Sequence, residues 1–390
     1  MNDKQMPKYR QLKQELLNKL NAGEWKASDQ MPSEHDIASR FGMSRQTVRQ
    51  ALGELEQEGW LYRLQGKGTF VSAPSASKPP VAVKTIGMMT TYISDYIFPH
   101  IVRGAESVLR DNGYRLMLLS TDNDKAKERQ NLELLLGEPL SGLIIEPTRS
   151  AQGNPNLDLY LALQVQGIPF VMINERYPEL NCPCLRLDDE AGGYRAAEHL
   201  IELGHRSIAG FFKTDDLQGA NRLKGFLRAY ADYGLALLPE SVTCYTTEES
   251  ADRPYEAALA MLEREDRPTA LVTYNDQLAV RLLEAARQAK LSVPDDLSIV
   301  GFDDSWLATA TEVKLTTLTH PKSEMGHQAA ALLMDLIENR SGDGDASFRE
   351  GQSEPLPVKE RGRERIFVPE LIVRESTSAF RESAHGSAAP

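Results

Sequence analysis

The most constraining feature of the chain is residues 33–71, where closely spaced helical segments precede a short hairpin rich in glycine. Ser33 is a suitable N-cap, and acidic residues in the first turn after it favour a helix start. Gly42 permits a tight turn, and Ser44 can cap the next helix. The buried face of that helix is predicted to carry Val48, Ala51, Leu52 and Leu55. With an amphipathic helix before residue 23, this order predicts a trihelical unit followed by a two-stranded wing.

The exposed face of the last helix has the side chains that DNA recognition needs. Arg45 and Arg49 are four residues apart, so both lie on one face, and either can form a bidentate hydrogen bond to guanine. Gln46 can pair with adenine, while Ser44 and Thr47 are short enough to reach phosphate oxygens. The alternative is an ordinary solvated helix face with two arginines. The hairpin favours the DNA-binding interpretation, because glycines beside a cation let the backbone approach a minor groove.

Charge is distributed unevenly along the 390 residues, whose formal net charge is -12. Residues 1–72 carry 11 Lys and Arg against 9 Asp and Glu, which gives +2 and leaves -14 for the rest. A local basic face on an acidic protein suits a selective DNA binder. The three cysteines are an odd count, so we expect a reduced, cytoplasmic and nucleoid-associated protein. We find no signal peptide and no membrane span.

The first 72 residues resemble the GntR family of winged-helix regulators. The matching segments are MPSE at 31–34, FGMSRQTVRQAL at 41–52, EGWL at 58–61 and GKGTFV at 66–71. The resemblance implies a homodimer on double-stranded, pseudo-palindromic operator DNA. His35 departs from the family pattern, in which many relatives have arginine, so the phosphate contact there is expected to be weaker or sensitive to pH. The expected DNA-binding residues are Lys8, Tyr9, Glu34, Ser44, Arg45, Gln46, Thr47, Arg49, Gln65, Gly66, Lys67 and Gly68.

A different pattern begins after residues 73–83, which have the composition of a flexible linker. Short apolar strands alternate with helical stretches over residues 84–378, as expected for parallel sheets with helices on both faces. Residues 341–365 interrupt this pattern and are predicted to be a mobile insertion, with a last strand at 367–375 and a disordered tail at 379–390. The predicted fold class is an α+β winged helix-turn-helix domain followed by a two-lobed α/β domain.

The second unit resembles the effector domain of LacI-type repressors, which is similar to periplasmic sugar-binding proteins. The segments are AEHLIELGHRSIA at 197–209, RLKGF at 222–226, YNDQLA at 274–279, VPDDLSIVGFDD at 293–304 and PELIVR at 369–374. The two halves together resemble the arabinose repressors of Gram-positive bacteria, through MTTYISDYIFP at 89–99, GLIIEPT at 142–148, DDLQG at 215–219 and HPK at 320–322. This resemblance implies L-arabinose as a small-molecule inducer.

A sugar site needs aromatic faces and paired donors and acceptors, because each buried hydroxyl left unpaired costs roughly 1 to 3 kcal/mol. Such residues follow the predicted strands, where open parallel sheets bind ligands. The expected ligand-binding residues are Tyr92, Asp95, Tyr96, Phe98, Glu146, Asn174, Lys213, Asp215, Asp216, Gln218, Arg222, Asn275, Asp276 and His320.

Several of these residues have a purely structural alternative. Asp276 is favoured as a direct ligand contact, but aspartate at a strand-to-helix turn is also a common N-cap. Arg222 can instead brace a loop by pairing with a carboxylate, and Glu146 can simply end a strand. His320 can pack in a crossover between the lobes, and the two roles are weighted equally.

The sequence predicts a repressor that sugar binding releases from its operator. The alternatives are corepression or activation, another pentose, hexose or sugar phosphate as signal, or a sugar-binding receptor of transport or chemosensing. No catalytic motif, cofactor site or metal site is recognised, and Cys182 and Cys184 lack the further ligands that zinc needs. An enzyme is the least favoured class.

Overall fold

The chain divides into two units, Met1–Ala82 and Val83–Pro390. The computed structural model describes residues 8–21, 24–26, 28–57, 60–64, 68–72, 84–93, 96–339, 358–361 and 364–381. The predicted linker at 73–83 and most of the predicted insertion at 341–365 lie outside the described residues. The same holds for four of the expected site residues, Gln65, Gly66, Lys67 and Asp95.

The first unit consists of α1 (Lys8–Asn21), α2 (Glu34–Phe41), α3 (Arg45–Gln57), β1 (Leu61–Leu64) and β2 (Gly68–Val71). Ser33 caps α2 in a capping box with Asp36, and Gly42 ends the helix with φ of 61°, in the left-handed region. The predicted buried face of α3 is confirmed, and it packs on Leu12 and Leu16 of α1. The two strands pair antiparallel as the predicted wing.

The second unit has two lobes, and its chain begins in the first of them, the N lobe. Its elements there are β3 (Thr85–Thr90), α4 (Phe98–Asp111), β4 (Arg115–Ser120), α5 (Lys125–Leu136), β5 (Leu140–Ile145), α6 (Leu157–Val165), β6 (Phe170–Asn174) and β7 (Cys184–Leu187). All five strands are parallel. They are nearly continuous apolar runs because helices cover both faces of the sheet.

The chain then enters the second lobe, the C lobe. Its elements are α7 (Asp189–Glu202), β8 (Ile208–Lys213), α8 (Leu217–Asp232), β9 (Val242–Tyr245), α9 (Arg253–Leu262), β10 (Ala270–Thr273), α10 (Asp276–Gln288), β11 (Ser298–Asp303), α11 (Leu307–Ala310) and β12 (Thr316–Thr319). The chain returns to the N lobe with α12 (Lys322–Asn339), β13 (Val358–Arg361) and β14 (Glu364–Phe367), and ends in the C lobe with β15 (Leu371–Ile372). Short 3-10 helices occupy Ser150–Gln152 and Pro239–Ser241.

Two sheets result from this path. The N-lobe sheet has the order β13-β14-β7-β6-β5-β3-β4, and the C-lobe sheet has the order β15-β12-β11-β10-β8-β9. The chain crosses between the lobes three times, near residue 188, at 320–321 and at 368–370. The predicted fold of parallel sheets with helices on both faces is confirmed. Among the described residues, no helix is both long and apolar enough to cross a membrane.

The C-terminal segment differs from the prediction in two ways. The predicted single strand at 367–375 is two strands in different sheets, because the chain crosses between lobes around Pro369, which has no N–H to donate to a ladder. Residues 358–361 and 364–365, predicted to belong to a mobile insertion, lie in strands β13 and β14 of the N lobe. Phe380, predicted to belong to a disordered tail, is placed against the C lobe, because it donates its backbone N–H to Leu203 and its ring packs on His205.

Candidate ligand cavity and DNA-binding face

A cavity of about 490 Å³ opens between the two lobes, at the carboxyl ends of strands from both sheets. Strand-to-helix loops converge there because all the inner strands of the two sheets run in parallel. The structure brings together eleven of the expected ligand residues on its wall: Tyr92, Tyr96, Phe98, Glu146, Asn174, Lys213, Asp216, Gln218, Arg222, Asn275 and His320. Asp215 and Asp276 do not line it, although both lie close by.

The N-lobe wall of the cavity is a buried line of hydrogen bonds. Glu146, directly after β5, accepts from the backbone and hydroxyl of Thr91 at 2.8 and 2.6 Å and from Asn174 Nδ2 at 2.7 Å. The other amide atom of Asn174 meets His320 Nε2 at 3.1 Å. Burial raises the pKa of Glu146, while the bonds from Thr91 and Asn174 oppose that rise. Because Asn174 reaches His320 in a crossover segment, this line connects the two lobes.

The C-lobe wall carries cations whose charges are already matched. Lys213 Nζ lies 2.9 Å from Asp216 and 3.2 Å from Asp215. Burial opposes the charge of Lys213, but the two carboxylates outweigh burial and raise its pKa. Tyr274 also donates to Asp216, at 3.0 Å. Asp215 is fully buried and binds the backbone and hydroxyl of Thr247, so its role is to brace the loop after β8.

Arg222 on α8 is 5% exposed and forms the most buried ion-pair cluster of the cavity. It donates to Asp189 at 2.8 Å and to Asp303 at 3.4 Å, and its guanidinium lies 3.6 Å from the ring centroid of Phe302. The carboxylates outweigh burial, so the pKa of Arg222 is raised and the side chain stays charged. The predicted bracing role is therefore realised, and Arg222 lines the cavity as well.

Asp276, favoured from the sequence as a direct ligand contact, has its carboxylate turned away from the cavity. It accepts from the backbone and hydroxyl of Ser305 at 2.8 and 2.9 Å and from the hydroxyl of Thr317 at 2.6 Å. The N-cap of α10 is its neighbour Asn275, whose side chain accepts from Leu278 N. Asp276 is therefore not the N-cap, and its carboxylate joins the loop after β11 to strand β12.

Loops at the mouth of the cleft are bonded directly across it. Asn123 donates to the hydroxyl of Thr247 at 2.6 Å, and Arg149 forms an ion pair with Glu248. Asn123 and Arg149 have φ of 54° and 42°, a left-handed conformation that is uncommon for residues other than glycine. Arg149 holds Asn123 through its backbone and its Nε, at 2.9 and 2.7 Å. These four residues form a mouth clamp, which bonds the two lobes to each other.

We expect Glu248→Gln to weaken binding of the predicted sugar ligand about two- to fivefold, because an exposed ion pair contributes modestly to the contact between the lobes. Calorimetric titration of the purified variant provides the measurement. Arg253→Gln is the matched control, because it removes an exposed ion pair with Glu249 that lies wholly within the C lobe. Equal affinities for Glu248→Gln and the unmodified protein would show that the Arg149–Glu248 ion pair contributes nothing to binding.

The predicted recognition face of α3 is contacted by residues of α2. Arg49 is bound in bidentate fashion to Glu34, with Nε and Nη2 at 3.2 and 3.0 Å from one oxygen and Nε at 3.4 Å from the other. Arg63 of the wing lies 3.6 Å from the same carboxylate. Arg45 Nη2 meets His35 Nδ1 at 3.0 Å. Both arginines of the predicted recognition face are thus exposed and oriented by neighbours on α2.

The remaining DNA-face residues lie as follows. Ser44 caps α3 by accepting from Thr47 N at 3.2 Å, and the two hydroxyls are 2.8 Å apart. Gln46 is exposed next to Arg45. Lys8 and Tyr9 open α1, and Gly68 begins β2 with φ of 114°. Arg63 is not among the expected DNA-binding residues, and its approach to Glu34 depends on how the wing folds onto α2.

Sequence reasoning also missed several cavity residues. They are Thr91, Asn123, Asp189, Tyr245, Tyr274, Arg281 and Asp303. Asp303 ends β11 and Thr91 follows β3, so a strict search of strand ends would have found both. Tyr245 ends β9, a strand that lacks a strong apolar pattern. No sequence signal points to Asp189 or Arg281, since their place on the wall depends on helix packing.

Comparisons with known proteins agree with this geometry. Residues 8–71 match the profile of bacterial regulatory proteins of the gntR family, and residues 197–377 match a periplasmic binding protein-like domain. The arabinose metabolism transcriptional repressor of Geobacillus stearothermophilus is 58% identical over 97% of this chain and 99% of its own length. The same-named repressor of Halalkalibacterium halodurans is 44% identical, with 95% and 96% covered.

Among solved structures, a LacI family transcriptional regulator of Enterococcus faecium with bound ribose is similar to the second unit. It is 26% identical, with a TM-score of 0.62, over 76% of this chain and all of that one.

Proposed function

The chain belongs to the arabinose metabolism transcriptional repressors, and we propose that L-arabinose, bound in the cavity between the lobes, releases this repressor from its operator DNA. The family is one of DNA-binding repressors and not of enzymes. Two points carry the sugar proposal: the cavity lies where open parallel sheets bind ligands, and its unpaired polar atoms are hydrogen-bond acceptors. We place the protein's action in the cytoplasm, where the operator is.

The charges of the cavity favour an uncharged ligand. Its cations Lys213 and Arg222 each face two carboxylates, and Glu146 adds a further carboxyl group. Arg281, the third cation of the wall, donates to the backbone carbonyls of Ser250 and Ala251. A phosphate placed here would meet more anions than unmatched cations, and burying it would be costly. A neutral sugar is therefore favoured over the sugar phosphate alternative.

The unpaired buried atoms of the cavity point to a ligand that donates hydrogen bonds. Three wall residues have a buried polar atom without a partner among the described residues, namely Asp189 Oδ2, Gln218 Oε1 and His320 Nδ1. The first two are oxygens, which accept, and hydroxyl groups would satisfy them. Tyr92, Tyr96 and Phe98 add aromatic surface for the C–H face of a sugar. The ribose bound to the Enterococcus faecium regulator shows that this fold accommodates a pentose.

Calorimetric titration of the full-length protein tests the ligand. L-arabinose is compared with D-ribose, D-xylose, D-galactose and D-ribose 5-phosphate at equal concentrations. We expect selective binding of L-arabinose and none of the phosphate. If another neutral sugar binds more tightly, that sugar becomes the proposed ligand and release from DNA by sugar binding remains the proposed mechanism. Preference for the phosphate would contradict the charge argument.

Release from DNA follows if the sugar binds better to the state with low operator affinity. The operator is first selected from a pool of random duplexes, and its affinity is then measured by fluorescence anisotropy with and without L-arabinose. Weaker DNA binding with sugar supports induction. Stronger binding would establish corepression, the alternative that the sequence leaves open.

On the DNA side, we expect Arg45→Ala to weaken operator binding by about 1 to 3 kcal/mol and to relax base choice. Lys67→Ala is expected to weaken binding to specific and random DNA about equally, because a contact with the DNA backbone does not depend on base sequence. Anisotropy titrations with both kinds of duplex provide the measurement. Arg110→Ala is the control, because Arg110 is an exposed, ion-paired arginine of the other unit. Equal losses on specific and random DNA for Arg45→Ala would contradict base reading.

We further propose a homodimer, as the operator symmetry of GntR proteins requires. Strand β4 supports this, because it is an edge strand of the described N-lobe sheet and its residues Leu116, Met117, Leu118 and Leu119 are only partly buried. Unprotected apolar edge strands favour pairing with another chain. Light scattering distinguishes a dimer from a single chain of 43.4 kDa.

A further inference from the structure

The hydrogen bonds that reach His320 determine which of its ring nitrogens donates and which accepts. Glu146 Oε2 accepts a backbone N–H from Thr91 at 2.8 Å, a donor whose identity is not in doubt. Its other oxygen, Oε1, faces the amide of Asn174 at 2.7 Å, and a carboxylate requires a donor there. The Nδ2 group of Asn174 therefore points to Glu146, and its Oδ1 points to His320.

Once Asn174 presents an oxygen, the imidazole of His320 has only one suitable tautomer. Its Nε2 lies 3.1 Å from Asn174 Oδ1 and must carry the proton. The other nitrogen, Nδ1, is then a bare acceptor. Burial lowers the pKa of His320 well below 6.5, and the positive charges of Lys322 and Arg222 lower it further, so the ring stays neutral.

Nδ1 is the part of this line that lacks a partner. His320 is 7% exposed, its side chain lines the cavity, and Nδ1 has no hydrogen-bond partner among the described residues. A buried acceptor without a donor costs roughly 1 to 3 kcal/mol, so the site favours a ligand that supplies one. Asn174 has φ of 64°, a left-handed conformation at the end of β6 that orients its amide toward the crossover.

We propose that His320 is a specificity-determining residue that accepts one hydroxyl hydrogen of the sugar at Nδ1, and that Asn174 and Glu146 fix this polarity. The proposal rests on the proposed sugar function and deepens it. It requires a donor at one position of the ligand, where a fluorine or a carbonyl oxygen would be repelled. Asn174 and Glu146 act on this contact as positioning residues, in addition to any contact of their own.

The tautomer is tested directly by nitrogen NMR of the full-length protein labelled with ¹⁵N-histidine. The His320 signals are assigned by their loss in His320→Gln. His205 is the internal control, because its Nε2 faces the Ser378 carbonyl at 3.1 Å and its Nδ1 already has Thr269 at 2.9 Å. We expect His320 to be neutral and protonated on Nε2. The ¹⁵N chemical shift of its Nδ1 should change when L-arabinose is added, and the shifts of His205 should not. A proton on Nδ1, or an unchanged Nδ1 signal with bound sugar, would overturn the proposal.

Affinity supplies a second readout. Calorimetry compares L-arabinose with analogues in which one hydroxyl is replaced by fluorine, which accepts but cannot donate. We expect one analogue to bind about 10- to 100-fold more weakly than the parent sugar, and this ratio to fall below about threefold in His320→Leu, which has no acceptor at this position. His199→Asn, which changes a histidine away from the cavity, should leave the ratio unchanged.

The possible failures are distinct. Equal binding of all analogues, or the same ratio in His320→Leu, would overturn the role of His320 while sugar binding itself stands. Absence of binding by any sugar would overturn the proposed function and the ligand contact together. The NMR tautomer would still decide whether Asn174 and Glu146 fix the polarity of the ring.

Discussion

Replacing Arg222 by methionine is expected to destabilise the second unit by about 3 to 5 kcal/mol, because removal of one partner leaves the others buried and charged. Asp189 and Asp303 are 1% and 3% exposed, and both depend on this guanidinium for compensation. Arg222 also donates to the Tyr274 carbonyl and lies against the Phe302 ring. Methionine keeps the side-chain volume approximately, so the effect measures lost charge more than lost packing.

Urea unfolding followed by circular dichroism, fitted for two units, provides the measurement. Arg228→Met is the matched control, because Arg228 is on the same helix and its ion pair with Glu190 is exposed, so a loss of roughly 0 to 1 kcal/mol is expected. If the two variants lost equal stability, the buried cluster would have no special role. We expect Arg222→Met to lose sugar binding as well.

The winged unit could be predicted almost residue by residue because its signals are local. Ser33 caps its own helix, Gly42 ends it with φ of 61°, and the apolar spacing of α3 defines its buried face. What the sequence could not supply is the partner of each charged side chain. The contacts of Arg45 with His35 and of Arg49 with Glu34 join different helices, and they depend on the angle between those helices.

In the second unit, the alternation of strands and helices could be predicted, but the direction of individual side chains could not. Asn275 and Asp276 are adjacent, yet one caps the helix and lines the cavity while the other is turned into the lobe. Both choices satisfy the rule that polar groups follow strand ends. The segment at 364–372 was misjudged for a related reason, since nothing local indicates that a chain leaves one sheet for another. Long-range packing decides both.

The buried position of Asp276 leads to an expected dependence of stability on pH. Burial raises its pKa to about 7 from an ordinary value of 3.8, and repulsion from Asp303 adds to this, against the opposing bonds from Thr317 and Ser305. Lys322 and the hydroxyl of Tyr96 are the other titratable groups near it. Because the folded state holds the proton more tightly, the contribution is present below about pH 4 and is lost as the pH rises through 7.

Asp276→Asn isolates this contribution. Asparagine can accept from Ser305 through its oxygen and donate to the Thr317 hydroxyl through its nitrogen, so the bonds survive without a titrating group. One pKa unit corresponds to about 1.4 kcal/mol. The free energy of unfolding of the unmodified protein should therefore fall relative to that of the variant, by at most about 4 kcal/mol between about pH 4 and pH 8.

Urea unfolding of both proteins at several pH values, without sugar, gives this difference directly. Glu324→Gln in α12 is a control, because Glu324 is a carboxyl of the other lobe and its substitution should leave the pH profile unchanged. A difference that stays flat, or that rises with pH, would show that Asp276 is ionised in the folded state throughout. In that case the hydrogen bonds from Ser305 and Thr317 would stabilise the carboxylate by more than burial destabilises it. The loop after β11 would then be held in place by a buried charge.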